Sequence, residues 1–325
     1  MREDLNLFRM SNYKIAILDV YQQVAESFAD WTTIATYADI EVFTHHLHAE
    51  EEVAARLKPF DIVCVMRERT PLSAHLLRQL PQLKLIVSTG AKNRSIDLEA
   101  AEELGIEVRN TGYLGHGALE LTWALLLAMA KHIPQEYANF RAGGWQHLVG
   151  NDLKGKTLGI LGLGNLGGQV AAVAKVFGMD VISWSENLTA EKASAAGARY
   201  VTKNTLFEAA DYLSIHMVLS ERSKAIVAEQ ELALMKPTAY LINTSRGPLV
   251  DEKALIASLQ NNQIAGAALD VFYQEPLAQD HPFRTLTNVL ATPHIGFVTQ
   301  DTYKVFFNDT VKVLGEWLER QAGSA

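Results

Sequence analysis

Leu158-Gly-Ile-Leu-Gly162-Leu-Gly164-Asn-Leu-Gly167 is the stretch whose reading decides the fold. An apolar run enters G-x-G-x-x-G, and Gly168-Gln-Val170 opens an Ala/Val-rich helical segment. That order, strand then glycine turn then helix, is the context in which the pattern holds a pyrophosphate. Gly162 permits the tight turn, Gly164 lets phosphate approach the backbone, and Gly167 lets helix and strand pack closely. The helix N-terminus then faces the anion. The acidic residue of this fingerprint is expected at the end of the next strand. Asp180-Val-Ile-Ser-Trp184 is that strand, and Ser185 stands at the expected position with Glu186 one step later.

Working outward, short Ile/Val/Leu-rich runs alternate with helical patterns on both sides of the turn. Before it lie Lys14 to Leu18, Ile40 to Phe43, Ile62 to Val65 and Leu83 to Val87. After it come Tyr212 to His216, Ala239 to Asn243 and Ala265 to Asp270. Such alternation predicts parallel sheets built from right-handed crossovers. The chain's 325 residues suit two domains. A long helix is expected over Gly117 to Phe140, with Leu119, Trp123, Leu126, Leu127 and Ala130 at helical spacing. Its other faces are apolar too, which predicts burial inside the domain or against a second subunit. A last helix, Gln300 to Arg320, carries Tyr303, Phe307, Val311, Leu314 and Leu318 on one stripe. The expected architecture is α/β, with two doubly wound parallel-sheet domains and a cleft between them. Residues 1–112 plus 298–325 form one domain, and residues 113–297 form a Rossmann-type domain inserted in it.

Composition narrows the class of function. Lys plus Arg total 29 against 37 for Asp plus Glu, a net charge of -8. Nucleic-acid and membrane partners are not expected of such a surface. Leu121 to Ala130 is the most apolar stretch, about half the ~20 residues that span a bilayer. Met1 to Asn12 has no apolar run and reads as a loose extension, not a signal peptide. The single cysteine, Cys64, fits a cytoplasmic protein.

Two other motifs point elsewhere. Gly150-Asn-Asp-Leu-Lys-Gly155-Lys156-Thr157 matches the P-loop pattern letter for letter. It runs into a strand instead of following one, so it lacks the helix that would cradle phosphate. His45, His46 and His48 precede the acidic run Glu50 to Glu52. Their spacing is not that of a metal pair, and a solvated loop and helix start is expected.

Three residues stand where chemistry is expected. Arg246 follows Asn243-Thr-Ser, Glu275 follows Asp270-Val-Phe-Tyr-Gln, and His294 follows Thr292-Pro, each just beyond an apolar strand. Ligands of doubly wound sheets sit outside such carboxyl ends. Removing hydride from a carbinol carbon requires a base on its oxygen, and histidine works in both directions near neutrality.

These segments, with Lys154-Gly-Lys-Thr-Leu-Gly-Ile-Leu-Gly-Leu-Gly, resemble the D-isomer-specific 2-hydroxyacid dehydrogenases over about residues 14–320. The resemblance implies an NAD-dependent oxidoreductase interconverting a D-2-hydroxy acid and its 2-keto acid, such as 3-phosphoglycerate or glyoxylate/hydroxypyruvate. It implies that Arg246 binds the substrate carboxylate, that His294 is the acid/base and that Glu275 is its partner. Asp270 would hold the nicotinamide carboxamide, Asn165 and Leu166 the pyrophosphate, and Thr244 and His216 the rest of the cofactor. Thr89, Gly90 and Ala91 match the turn that offers backbone N–H groups to substrate. The first domain would be flavodoxin-like and the assembly a homodimer. No additional regulatory domain is expected after the last helix.

Two departures are plain: Ser185 replaces the family's Asp, and Val218 its Pro. Ser185 lowers the barrier to NADP, whereas Glu186 favours NAD. Arg67, Arg69, Lys92 and Arg94 lie around the expected substrate turn, suited to a second anionic group or to solvent. The rival readings are a formate- or phosphite-type oxidoreductase and a dinucleotide-sensing scaffold resembling corepressors. Glu275 argues against the formate type, which carries Gln there, and no interaction tail supports the scaffold.

Overall fold

Parallel strands buried on both faces read as continuous apolar runs, and the computed structural model, which describes residues 13–323, places them in two sheets. The expected extension Met1 to Asn12 lies outside the described residues. The chain divides into one unit that runs to Leu114 and resumes at Thr299, and a second unit, Gly115–Val298.

The first unit contains β1 (Tyr13–Ile17), β2 (Ala38–Val42), β3 (Ile62–Val65), β4 (Leu85–Ser88) and β5 (Glu107–Asn110). Their order is β2-β1-β3-β4-β5, all parallel. One face is covered by helices that bring Val53, Leu57, Leu76 and Leu77 onto Val63, Val65 and Ile86. The helix Gln300–Gly323 belongs to this unit and buries Phe306, Phe307, Leu314 and Trp317. Trp317 meets Tyr13 edge-on at 5.1 Å, and Phe307 packs beside Trp31.

The second unit holds β6 (Thr157–Leu161), β7 (Asp180–Trp184), β8 (Arg199–Tyr200), β9 (Tyr212–Ile215), β10 (Tyr240–Asn243), β11 (Gly266–Leu269) and β12 (Val289–Ala291). The order β12-β11-β10-β9-β6-β7-β8 reverses direction between β6 and β9. Alternation along each strand feeds two cores. Leu161, Leu213, Ile215 and Leu241 enter one, while Ile160, Tyr212, Tyr240 and Ile242 enter the other.

The helix expected over Gly117 to Phe140 is two helices, His116–Ala130 and Ile133–Arg141. His132 between them is left-handed, φ 53°, and Pro134 sits in the first turn of the second helix. A proline has no amide to continue a helix but suits its start. The first helix buries Trp123, Leu125, Leu126 and Met129, as a helix apolar on most faces should; the second buries nothing.

The histidine cluster is only partly solvated, which corrects the sequence expectation. The His46 ring is 7% exposed and its Nδ1 lies 3.2 Å from Oδ1 of buried Asp19. Thr70 Oγ1 donates to the other Asp19 oxygen at 2.6 Å. Among the described residues no group of three or more His, Cys, Asp or Glu is placed to hold a metal. No described helix is long and apolar enough to cross a membrane.

Candidate active site

The switch point of the second unit's sheet is built from β6 and β9, where a crevice for ligand is expected. Gly162 ends β6 in a turn with φ +100°, and a Cβ there would stand 2.6 Å from the His216 carbonyl oxygen. A Cβ on Gly167 would come 2.2 Å from the Gly162 carbonyl oxygen, so helix and strand meet with no room for a methyl. Nothing lies within 4 Å of the same point on Gly164. The helix Asn165–Val176 starts there, and first-turn amides such as those of Asn165 and Leu166 have no acceptor within their own helix.

His216 follows β9, and its Nδ1 is buried without a hydrogen-bond partner. Burial pushes its imidazole down to about 4. Thr244, just past β10, is buried with its hydroxyl 2.7 Å from that of Thr122. Ser185 and Glu186 follow β7, with no basic side chain before Lys192. The open turn, the helix N-terminus and the unpartnered Nδ1 together fit a dinucleotide.

Arg246, Glu275 and His294 follow β10, β11 and β12, three adjacent parallel strands, and so share one edge of the sheet. His294 Nδ1 lies 2.5 Å from Glu275 Oε2. The other Glu275 oxygen accepts from the Phe272 amide at 2.9 Å, which fixes the carboxylate. That contact leaves Nε2 of His294 as the nitrogen for chemistry. The imidazole is edge-on to Phe297, centroids 5.4 Å apart, and its backbone is left-handed at φ 52°. Arg246 is half-buried; its Nη1 donates to the Ser245 carbonyl at 2.7 Å, and Asn243 Nδ2 donates to the Arg246 carbonyl at 3.0 Å.

Asp270 is 1% exposed and faces the loop that carries His294. Oδ1 accepts from Thr292 Oγ1 at 2.6 Å and from the Ile295 amide at 2.8 Å, and Oδ2 from the Gly296 amide at 2.9 Å. Burial raises this carboxyl above the usual carboxylate range, against the pull of those donors. The sequence reading did not foresee that bracing role, nor those of Phe272 and Thr292.

In the first unit, Thr89 and Gly90 follow β4. The Thr89 amide donates to the Val65 carbonyl and the Gly90 amide to Thr111 Oγ1 at 2.8 Å. The exposed Ala91 keeps its amide without an acceptor among the described residues. Arg67 lies against the Gly90 turn and over the Tyr113 ring, 5.0 Å from its centroid. Arg69 donates to the Asp19 carbonyl at 2.7 Å and covers the Tyr21 ring. Gly150 to Thr157 leads from an irregular segment into β6, the reverse of a P-loop.

A family model described as the D-isomer specific 2-hydroxyacid dehydrogenase, NAD binding domain, matches residues 123–296. The chain is 37% identical to the glyoxylate reductase of Aeropyrum pernix over 281 residues, covering 83% of each. It is 39% identical over 259 residues to the D-3-phosphoglycerate dehydrogenase of Methanocaldococcus jannaschii, 78% of this chain but about half (49%) of that one. The crystal structure of a phosphoglycerate oxidoreductase from Vibrio cholerae superposes with a TM-score of 0.88 at 37% identity, covering 96% of this chain and 100% of that one.

Proposed function

The chain belongs to the D-isomer-specific 2-hydroxyacid dehydrogenases, oxidoreductases that act on the CH–OH group of 2-hydroxy acids with NAD, and from that premise we propose how its residues divide the work. His294 passes the hydroxyl proton through Nε2, taking it on oxidation and returning it on reduction. Glu275 holds the ring by Nδ1. Arg246 binds the substrate carboxylate, a planar anion suited to its fork of donors. Asp270 holds the His294 loop in place beside the nicotinamide. NAD, when bound, accepts or supplies the hydride. Gly162, Gly164, Asn165, Leu166 and Gly167 form its pyrophosphate cradle, with His216 and Thr244 alongside. Ser185 and Glu186 meet the adenosine ribose, and the Glu186 carboxylate, with no basic residue following it in the chain before Lys192, favours NAD over NADP.

For the first unit we assign substrate binding to Thr89, Gly90 and Ala91, on the strength of the open Ala91 amide. The substrate class is a 2-hydroxy acid or its 2-keto acid, 3-phosphoglycerate or glyoxylate/hydroxypyruvate, in line with the glyoxylate reductase and phosphoglycerate dehydrogenase relatives. The buried, unpaired Cys64 suits a cytoplasmic location.

One observation carries the mechanism: the 2.5 Å contact of His294 with a carboxylate fixed by the Phe272 amide. The test is consumption of NADH with a panel of 2-keto acids by wild type and His294→Ala. The variant is expected to lose roughly 10²–10⁴ in kcat while its affinity for NADH holds. Wild-type turnover by His294→Ala would remove the assignment.

A further inference from the structure

Ser214 and His216 alternate along one strand direction, so their side chains leave the same side of the backbone. Ser214 is fully buried, and its Oγ lies 2.8 Å from His216 Nε2. Neither side chain has another hydrogen-bond partner among the described residues, and His216 Nδ1 is buried with none at all. The residue is anchored at the glycine turn. Its amide donates to the Leu161 carbonyl at 2.8 Å, and its own carbonyl faces Gly162.

Burial keeps the imidazole neutral, so a single proton sits on one nitrogen or the other. With the proton on Nε2, that nitrogen donates to Ser214. The serine hydrogen then has no acceptor, and the Nδ1 lone pair has no donor. With the proton on Nδ1, the Ser214 hydroxyl donates to Nε2 and only the Nδ1–H is left over. The first arrangement leaves a buried donor and a buried acceptor unmade and the second only a donor, so the second prevails. It leaves one N–H without an acceptor among the described residues, and buried orphans of that kind call for a ligand to complete them.

We propose that Ser214 is a positioning residue that holds His216 as its Nδ1–H tautomer, reserving that N–H for an oxygen acceptor of the dinucleotide. The proposal rests on the reading of the second unit as the dinucleotide's holder. It concerns the tautomer and the residue that sets it, neither of which the sequence motif specifies.

Long-range ¹H–¹⁵N correlation on protein labelled at histidine distinguishes the two tautomers without any variant. Wild type without cofactor is expected to show His216 protonated at Nδ1, and NADH to shift that nitrogen. In Ser214→Ala the preference for Nδ1–H weakens, and the Kd for NADH, read by fluorescence quenching, rises roughly tenfold. Turnover at saturating NADH changes less than the Kd does. Ser214→Thr keeps a hydroxyl at the same place and restores both the tautomer and tight binding. A wild type protonated at Nε2 overturns the proposal, as does a folded Ser214→Ala that binds NADH like wild type. Both results leave the cofactor reading standing if wild type binds NADH. A wild type without affinity for NADH overturns both.

Discussion

Replacing Asp270 by Asn tests whether the loop that carries His294 is set from below. The carboxylate accepts three hydrogen bonds from that loop, two at Oδ1 and one at Oδ2. An asparagine that keeps its oxygen on Thr292 and Ile295 turns an NH₂ toward the Gly296 amide, donor against donor. One charge-assisted bond is lost and a buried amide is left unpaired. Against that stands relief from burying a charge, so the net cost is about 2–3 kcal/mol. For a unit of this size that lowers Tm by about 5–10 °C. Chemistry suffers separately. His294 sits in a left-handed conformation that the loop enforces, and a shift of about 1 Å in a reacting group costs roughly 10²-fold in rate. The assays are thermal unfolding and steady-state NADH oxidation with a good 2-keto acid. Thr292→Val removes one donor and keeps the charge, so its losses should be smaller in both. An Asp270→Asn enzyme with wild-type Tm and kcat would refute the bracing role. A variant whose only defect is a raised KM for NADH would assign Asp270 to the cofactor alone.

Arg246→Lys is expected to raise the KM for the keto acid strongly and to lower kcat, because an ammonium cannot make two parallel N–H bonds to a carboxylate; wild-type kinetics in a substrate titration would exclude Arg246 as the clamp. His216 should make the cofactor-free protein acid-sensitive. Its folded value of about 4 lies below the unfolded 6.5, so the unfolded chain gains a proton first and stability falls as pH drops from 6.5 towards 4. Wild type should lose about 2 kcal/mol more than His216→Gln between pH 7 and pH 5 in urea unfolding, and equal losses would contradict a buried neutral imidazole. A homodimer is proposed on the helix Ile133–Arg141 and the segment after it, where Tyr137 and Phe140 are each 63% exposed and Trp145 75%. Light scattering should give twice 35.9 kDa for wild type and a smaller species for Phe140→Asp; a wild-type monomer at micromolar concentration would exclude it.

Much of the second unit was legible because its strands are buried on both faces. Thr157–Leu161 and Asp180–Trp184 stand in the sequence as short, mostly apolar segments with the observed limits. Two of the edge strands gave no such signal. Glu107-Val-Arg-Asn110 and Arg199-Tyr200 carry polar side chains into solvent and do not read as strands. The helix break at His132 was masked by apolar spacing that continues across it, although Pro134 marked the restart. The pairing of His294 with Glu275, 19 residues apart, was implied by the family resemblance; the residues themselves showed only that each follows an apolar strand. The tie between Asp19 and His46 was not legible, because it joins two loops through a buried carboxylate that no local spacing announces.

The helix Gln300–Gly323 completes a sheet whose last strand ends at Asn110, and that has a consequence for synthesis. On the ribosome, all of Gly115–Val298 must be made before Phe306, Phe307 and Trp317 can reach the face they cover. At roughly 5–20 residues per second, that is about ten to forty seconds with an apolar surface open to solvent and to chaperones. The inserted unit carries every strand of its own sheet by Ala291, before this helix begins. Although its first residue is translated later, it is the unit that can finish folding first, and the unit begun earliest closes last.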